Sequence, residues 1–402
     1  MKQVPVGLAG PTGTAREENA VTDEVLLLAG TRPEALKVAP VALALEEVPW
    51  LRPVIVHSGQ HVGMVEQALV PFGLRPDVFL PLRREIGSQA ELVSALLPRL
   101  DELIVRRGPA AVLVQGDTST ALAGALAGYW RGVPVAHLEA GLRTGDLGSP
   151  FPEEGNRQMI ARIAALHLAP TEAAARALRS ESLPGKQIVV TGNTVVDALT
   201  HVAGAGLPAR SPVLAGLERQ LDAEGGRLVL TTLHRRESWG LPADRVLAAV
   251  RSVVDRHRDV HVLLPVHPNP AVRAQVLGAL QGHDRIWICE PLDYPDLVRA
   301  LRRSALVITD SGGIQEEAPS FGVPVLVVRD STERTEAVDA GYAWLVGTDD
   351  TRIVAEADWV LSSGLRLPTG RNPFGDGQAA GRVVSALRRL LGARERELVG
   401  AG

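Results

Sequence analysis

Residues 111–138 read AVLVQGDTSTALAGALAGYWRGVPVAHL, and this segment contains the pattern that recurs along the whole chain. A continuous apolar run at Ala111–Val114 is followed by a helical pattern over Ser119–Arg131 and by a second apolar run at Val135–Leu138. Continuous apolar runs, as opposed to alternating ones, are typical of strands that are buried on both faces. A strand, a helix and a strand in this order predict a parallel sheet covered by helices.

Apolar runs of the same kind lie on both sides of residue 200. They are Val25–Leu28, Val54–His57, Ala111–Val114, Val135–Leu138, Leu166–Ala169, Ile188–Val190, Leu228–Thr232, Val260–Leu264, Ile286–Ile288, Leu306–Thr309, Val325–Val328 and Trp344–Val346. Because helical stretches separate them, the sequence predicts an α/β fold of two Rossmann-like, doubly wound parallel-sheet domains that face a cleft. Ligands of such sheets bind at the carboxyl ends of the strands.

The length and composition of the chain are consistent with two domains. The 402 residues are 46% hydrophobic, which is enough apolar material for two full cores. We expect a polar extension over residues 1–22, a first domain over residues 23–202 and a second domain over residues 203–380. The segment Ala203–Pro212, rich in Gly, Pro and Ala, is the expected linker.

Charge and cysteine content exclude several classes of protein. The formal net charge is -4, so no basic surface for nucleic acid is expected. The one cysteine, Cys289, rules out an internal disulfide and any multi-cysteine metal site, and its apolar neighbours favour a buried, inert thiol. The chain begins without a basic-then-apolar leader and has no apolar run of about 18 residues, so we expect a cytoplasmic protein that does not enter the membrane.

Polar side chains follow the first two predicted strands. Arg32 and Lys37 lie near the start of a helix whose first turn contains Pro33. The amides at a helix start favour an anion, so these cations predict a phosphate or diphosphate contact, the alternative being an ordinary capped helix with solvated charges. Gln60 and His61 follow the second strand and are secondary candidates, because a plain loop explains them as well.

Three carboxylates follow the third and fourth predicted strands. Asp117 lies in the segment Gln115-Gly116-Asp117 that follows one strand, Glu139 comes directly after the next strand, and Glu153 lies on the segment that follows. Asp117 could be a helix N-cap, and Glu153 could simply favour a helix N-terminus. Their arrival at one end of one sheet predicts a cleft in which the carboxylates raise one another's pKa, which suits general acid–base catalysis. Arg143, in the same loop, is a secondary candidate.

Histidine and arginine residues follow strands of the second half. His234 ends a predicted strand and precedes Arg235, and a histidine titrates near neutral pH, so we predict an acid–base role over that of a loop residue. Arg235 and His267 are secondary candidates. Arg334 follows a later strand and is a candidate phosphate contact.

The strongest local signal is TDSGGIQEEA at residues 309–318, where a strand leads through two glycines into a helix. Ser311, Gly312 and Gly313 would let a phosphate approach the free amides at the helix start. Glu317, one turn further on, could bind a ribose diol. The spacing differs from the dinucleotide fingerprint and there is no Walker Lys-Ser/Thr pair.

Seven ordered motifs resemble the non-hydrolysing UDP-N-acetylglucosamine 2-epimerases. The match extends over about residues 24–385 and includes both predicted domains. The motifs are GTRPEALKVAPV, GDTSTALAGALA, HLEAGLRTGD, SPFPEEGNRQMI, TGNTVVDAL, HRRESWG and TDSGGIQEEAPSFGVPVLVVRDSTERTEAV.

The resemblance implies a glycosyltransferase-B-like fold and a homodimer that acts on a UDP-sugar without metal or nicotinamide cofactor. It also implies that the last helix, over residues 381–402, packs back on the first domain. In the implied reaction a base removes the proton at carbon 2 while UDP leaves carbon 1, and UDP then adds back to a 2-acetamidoglucal. The implied acid–base residues are Asp117, Glu139, Glu153 and His234. The implied substrate contacts are Arg32, Lys37, Ser311, Gly312, Gly313, Glu317 and Arg334.

Three other functions are compatible with parts of this pattern. A hydrolysing 2-epimerase would release N-acetylmannosamine and UDP, and it differs in whether water reaches the intermediate. A glycosyltransferase of the same fold does not need three clustered carboxylates and His234. A catalytically silent UDP-sugar sensor would need only the nucleotide contacts.

Overall fold

A computed structural model describes residues 22–61, 63–183, 185–235 and 238–400, with side chains up to residue 392. The expected extension over residues 1–22 therefore lies, apart from Thr22, outside the described residues. The described part of the chain forms two parallel sheets with helices on both faces of each, so the predicted fold class is confirmed. No helix in this part is long and apolar enough to cross a membrane.

The first sheet has seven parallel strands in the order β3-β2-β1-β4-β5-β6-β7. The strands are β1 (Asp23–Ala29), β2 (Leu51–His57), β3 (Val78–Phe79), β4 (Ala111–Gln115), β5 (Val135–Leu138), β6 (Leu166–Ala169) and β7 (Gln187–Val190). The helices between and after them are α1 (Arg32–Glu46), α2 (Met64–Leu69), α3 (Gln89–Arg107), α4 (Ser119–Trp130), α5 (Glu153–Ile163), α6 (Glu172–Ser180) and α7 (Thr194–Gly204). The strand order reverses between β1 and β4, which is where doubly wound sheets bind ligands.

The second sheet has six parallel strands in the order β10-β9-β8-β11-β12-β13. They are β8 (Arg227–Thr232), β9 (Val260–Pro265), β10 (Ile286–Cys289), β11 (Ser304–Thr309), β12 (Val325–Val327) and β13 (Ala343–Leu345). Its helices are α8 (Pro212–Glu224), α9 (Leu241–Arg256), α10 (Pro270–Leu280), α11 (Tyr294–Arg303), α12 (Gly312–Glu317), α13 (Thr335–Asp339) and α14 (Asp350–Ser363). Here the order reverses between β8 and β11.

Alternate residues of the central strands pack into two apolar layers, one on each face of the sheet. In β1, Val25 and Leu27 join the layer under α1, whereas Leu26 and Leu28 join the layer under α3 and α4. All four side chains are fully buried, and burial of one such side chain contributes about 1.5–3 kcal/mol. This explains why the strands appear as continuous apolar runs.

The final helix, α15 (Ala379–Gly400), packs on the first sheet's outer layer. Val383 and Leu387 belong to the same apolar cluster as Leu36 of α1. The carboxylate of Asp197 in α7 accepts the amides of Ala379 and Ala380 at 3.1 and 2.8 Å, which caps the start of α15. The exact domain boundaries at residues 203 and 381 stay predictions.

Candidate active site

Four charged side chains from both halves of the chain meet in the cleft between the sheets. Lys37 Nζ lies 2.6 Å from Glu139 Oε1 and 3.1 Å from Glu316 Oε2. Arg334 Nε lies 3.0 Å from Glu316 Oε1, and its Nη2 lies 3.9 Å from Glu139 Oε1. We call these four residues the ionic cluster. Lys37 and Glu139 come from the first half and Glu316 and Arg334 from the second, so the cluster joins the two halves of the cleft.

The local sequence explains how each member reaches the cluster. Lys37 lies in the second turn of α1, a helix that Thr31 caps. Glu139 follows the last residue of β5 and has a positive φ of 62°, an uncommon conformation that turns the chain as it leaves the sheet. Glu316 belongs to the short α12, and Arg334 directly precedes α13.

Burial and charge act in opposite directions on the two cations of the cluster. Burial lowers the pKa of Lys37, but the carboxylates of Glu139 and Glu316 outweigh that effect, so the pKa lies above its usual value. Burial likewise opposes the charge of Arg334, and Glu316, Glu333 and Glu139 together raise its pKa. Both side chains therefore stay cationic, as a diphosphate site requires.

Asp117 lies at the end of β4, with its carboxylate 2.8 Å from Arg157 Nη2. Burial raises the pKa of Asp117, whereas Arg157 and Arg334 lower it and Glu153 raises it again. The net pKa lies above the usual aspartate value, which makes Asp117 a better proton acceptor than an ordinary aspartate. Asn156 donates to the main-chain oxygen of Asp117 at 2.8 Å and fixes the turn.

Glu153 begins α5 and lines a cavity of about 1200 Å³ between the two sheets. The wall opposite Glu153 includes Arg235 and Glu333, and Arg235 Nη2 lies 3.2 Å from Glu333 Oε1. The charge of Glu153 raises the pKa of Asp117, so these two carboxylates lie within electrostatic range of each other.

His234 follows β8 and is held through its main chain. Its amide donates to both carboxylate oxygens of Asp310 at 3.0 Å, and its ring centroid lies 6.3 Å from that of His267. Burial lowers the pKa of His234, Asp310 raises it, and His267 and Arg32 lower it further. The net effect is a lowered pKa, so the imidazole is neutral at pH 7 and can accept a proton.

The residues expected to contact the nucleotide lie around α12. Ser311 is the residue before the helix, and Gly312 packs against the guanidinium of Arg334. The Oε2 atom of Glu317 is buried and has no hydrogen-bond partner among the described residues. Burial, with the charge of Glu316, raises the pKa of Glu317 to about 8. An unpaired buried carboxyl of this kind is a candidate partner for a ligand hydroxyl.

Gly313 also belongs to the first turn of α12. Arg32 extends from α1 to the opposite domain, where its Nη1 donates to the main-chain oxygen of Leu292 at 3.2 Å. The hydroxyl of Tyr294 is buried and also lacks a partner in the described part of the chain. These two buried polar atoms without a partner among the described residues, Glu317 Oε2 and Tyr294 Oη, therefore both lie on the side of the cleft formed by the second half of the chain.

Several predicted secondary residues lie away from the ionic cluster. Arg143 lines the cavity, but its guanidinium pairs with Glu181. The side-chain oxygen of Gln60 accepts a hydrogen bond from the Thr120 hydroxyl at 2.9 Å. His61 lies at the surface, and the partial burial of its ring, together with the charge of Arg84, lowers its pKa. Cys289 is buried, which raises its thiol pKa to about 12 and makes the thiol unreactive at neutral pH.

Sequence reasoning missed two charged members of the site. Glu316 and Arg157 both lie in helices, where a charged residue usually indicates a solvated face. Their burial, with 1% and 5% of the side chain exposed, is what distinguishes them. The only available signal in the sequence was the position of Glu316 directly before Glu317. Within the described ranges, no group of three or more His, Cys, Asp or Glu side chains is arranged to hold a metal ion.

Two doubly wound parallel-sheet domains with charged and titratable side chains between them define a two-domain α/β fold with a polar interdomain cleft. A family model described as UDP-N-acetylglucosamine 2-epimerase matches residues 43–388. The chain therefore belongs to the UDP-N-acetylglucosamine 2-epimerase family, which confirms the resemblance seen in the motifs.

Curated relatives and solved structures agree with this membership. The UDP-N-acetylglucosamine 2-epimerase of Bacillus subtilis is 42% identical over 377 residues, which is 93% of this chain and 97% of that protein. A co-structure of S. aureus MnaA with UDP has a TM-score of 0.83 at 38% identity, with 92% of this chain and 97% of that one covered. The Neisseria meningitidis UDP-GlcNAc 2-epimerase bound to UDP-GlcNAc has a TM-score of 0.82 at 35% identity, with 91% and 100% covered.

Proposed function

We propose that this chain is a non-hydrolysing UDP-N-acetylglucosamine 2-epimerase, which interconverts UDP-GlcNAc and UDP-ManNAc. The observation that carries the proposal is the ionic cluster with Asp117 and His234 around it, because it combines fixed cations with titratable groups in one cleft. The family and the ligands in the two similar solved structures support the substrate class. The proposal includes a cytoplasmic homodimer that uses no cofactor.

Binding of the UDP group is the first task of these side chains. Lys37, Arg334 and Arg32 would neutralise the diphosphate, and the first turn of α12 would bring Ser311, Gly312 and Gly313 against it. Glu317 would accept from the ribose hydroxyls. A leaving group held by three cations needs little proton assistance, since its negative charge is already compensated as the bond at carbon 1 breaks.

Proton transfer at carbon 2 is the second task. Inversion requires a base on one face of the sugar ring and an acid on the other, so at least two groups must take part. Asp117, Glu139, Glu153 and His234 are the proposed set. The raised pKa of Asp117 favours its protonated form more than in an ordinary aspartate, whereas the lowered pKa of His234 keeps the imidazole neutral and able to accept a proton. The individual assignments within the set stay open.

Exclusion of water is the third task, and it separates epimerisation from hydrolysis. UDP must remain in the cleft to add back to the intermediate. Contacts that link the halves at the cluster include the ion pairs of Lys37 with Glu316 and of Arg334 with Glu139, and the hydrogen bond from Arg32 to Leu292. Such contacts favour a closed cleft during turnover.

Proton NMR of the purified chain with UDP-GlcNAc in D2O tests the proposal. We expect UDP-ManNAc with deuterium at carbon 2 and no early accumulation of free sugar. Free N-acetylmannosamine and UDP would indicate the hydrolysing reaction. An unchanged spectrum, with UDP-GlcNAc binding shown in parallel by calorimetry, would contradict the enzyme proposal and favour a sensor.

A further inference from the structure

Glu34, in the first turn of α1, has a buried carboxyl group that the proposed reaction does not use. Only 1% of the residue is exposed. Its Oε2 accepts from the Gly30 amide at 3.0 Å and from the Thr31 hydroxyl at 2.8 Å. Its Oε1 accepts from the Thr118 hydroxyl at 2.6 Å. One carboxyl group therefore connects the loop after β1 with the loop after β4.

Both hydroxyls that Glu34 contacts are helix caps. Thr31 Oγ1 accepts from the amide of Glu34 at the start of α1, and Thr118 Oγ1 accepts from the amide of Ala121 at the start of α4. Because each hydroxyl uses its oxygen as the cap, its hydrogen remains for the carboxyl group. Glu34 also brings a carboxyl group to the positive ends of two helices.

The two loops carry groups with different tasks in the proposed reaction. Arg32 directly follows Thr31, and Asp117 directly precedes Thr118. The other hydrogen bonds of the Asp117 turn come from the opposite side, from Asn156 of α5 and from His137 of β5. The hydrogen bond from Thr118 to Glu34 therefore links this turn directly to α1.

We infer that Glu34 is a positioning residue that holds the phosphate-binding loop of Arg32 and the acid–base loop of Asp117 in a fixed relation. The inference rests on the proposed function and deepens it. Both carboxyl oxygens of Glu34 already accept hydrogen bonds within the fold, so Glu34 acts through its two threonine partners and not on the substrate. Burial raises its pKa to about 7 against the effect of its three hydrogen bonds, so the fold retains this carboxyl group at an energetic cost.

The sharpest test compares Thr31→Val with Thr118→Val. The two substitutions are isosteric, and each removes one cap and one arm of the bridge. Thr118→Val should lower kcat about tenfold and leave the Kd for UDP within about twofold, because only the Asp117 turn is released. Thr31→Val should raise the Kd for UDP about fivefold or more, with a smaller effect on kcat.

Because each threonine caps only the helix beside its own loop, the crossed pattern must be joined by Glu34→Met, which keeps both caps and should change kcat and the Kd for UDP together if the carboxyl group bridges the loops. Equal changes of kcat and Kd in the two variants, or no change in either, would overturn the inference. Glu34→Gln keeps one oxygen for the bridge and should retain more activity than Glu34→Met, which keeps none. Circular dichroism and Tm of each variant establish that it is folded.

Ser211→Ala is the control for the loss of a cap alone. Ser211 caps α8 on the second domain. The Tm of the Ser211→Ala variant should therefore fall, while its kcat and its Kd for UDP stay as in the unmodified chain. If the unmodified chain does not epimerise UDP-GlcNAc, the proposed function fails, but the Kd for UDP still tests the bridge. Weaker UDP binding in Thr31→Val than in Thr118→Val would then support the inference, and equal binding would overturn it.

Discussion

The pairing of Asp117 with Arg157 makes the pH profile a direct probe of one residue. Arg157 is the first of three cations, with Arg334 and Lys37, that lower the raised pKa of Asp117, so Arg157→Met should raise that pKa further. If turnover needs ionised Asp117, the enzyme is active above the pKa of Asp117 and loses activity as the pH falls through that pKa. The acid limb of kcat should therefore move to higher pH, as measured from pH 5.5 to 9.

Arg162 provides the matched control for that shift. It lies on the same helix and donates to the main-chain oxygen of Glu181 at 3.0 Å, outside the cleft. Arg162→Met should leave the acid limb in place. If the acid limb of kcat lies at the same pH in Arg157→Met and Arg162→Met, ionisation of Asp117 does not control turnover.

At the residue scale the sequence located the acid–base candidates but not their partners. Asp117 and His234 were predicted because a polar residue directly after an apolar strand stands at the ligand-binding edge of a parallel sheet. Arg157 and Glu316 were not, because a charge inside a helix normally faces solvent. Arg157 and Glu316 meet their partners only in the folded chain, and a local sequence pattern does not predict such tertiary contacts.

At the element scale, the two adjacent glycines at the start of α12 allow a test of which position requires the absence of a side chain. A Cβ at Gly312 would lie 3.1 Å from Cζ of Arg334, whereas at Gly313 the nearest atom is Ser311 Oγ at 3.9 Å. Gly312→Ala should therefore disturb Arg334 and its ion pair with Glu316. Gly313→Ala should be neutral or slightly stabilising, since alanine favours a helix. Urea unfolding without ligand should separate the variants by about 1 kcal/mol or more, and equal stabilities would contradict the close packing at Gly312.

The strands β5 and β6 place two buried histidines side by side, His137 opposite His167. Burial lowers their pKa values to about 3 and about 4, so both stay neutral in the folded chain. Histidine in the unfolded chain binds a proton below about pH 6.5, whereas the buried histidines of the folded chain do not. The folded chain therefore has its full free energy of unfolding above that pH and loses part of it as the pH falls below. Between pH 7.5 and 5.5 the pair should lower the free energy of unfolding by about 2–3 kcal/mol.

His167→Leu tests this assignment, because neither ring nitrogen of His167 has a hydrogen-bond partner among the described residues. The variant should lose about half of the acid-dependent destabilisation in urea unfolding at the two pH values. His201→Gln, at an exposed position of α7, should retain all of it. A pH dependence unchanged by His167→Leu would show that this histidine is not the titrating group.

The strands themselves were the most predictable elements. All twelve predicted apolar runs correspond to strands, and most of them are central strands, which are buried on both faces and need continuous apolar sequence. The sequence missed β3, whose two residues lie at the sheet edge with Phe79 exposed. An element that short has too little buried surface to leave a pattern.

At the scale of the whole molecule, the contact between Thr171 and Glu336 offers a test of cleft closure. Thr171 Oγ1 donates to Glu336 Oε1 at 2.6 Å, which joins α6 of the first domain to α13 of the second. Because both residues lie outside the ionic cluster, Thr171→Val should weaken closure without removing an acid–base group. More water should then reach the intermediate, so we expect the share of turnovers that release UDP and free sugar to rise about threefold or more.

NMR product ratios at equal extents of reaction measure that share. Thr171→Ser keeps the hydroxyl that both caps α6 and reaches Glu336, so it should retain the product ratio of the unmodified chain. A higher hydrolytic share in Thr171→Val alone would link closure to the fate of the intermediate. Equal ratios in all three proteins, with turnover preserved, would show that the contact between Thr171 and Glu336 does not control the access of water to the intermediate.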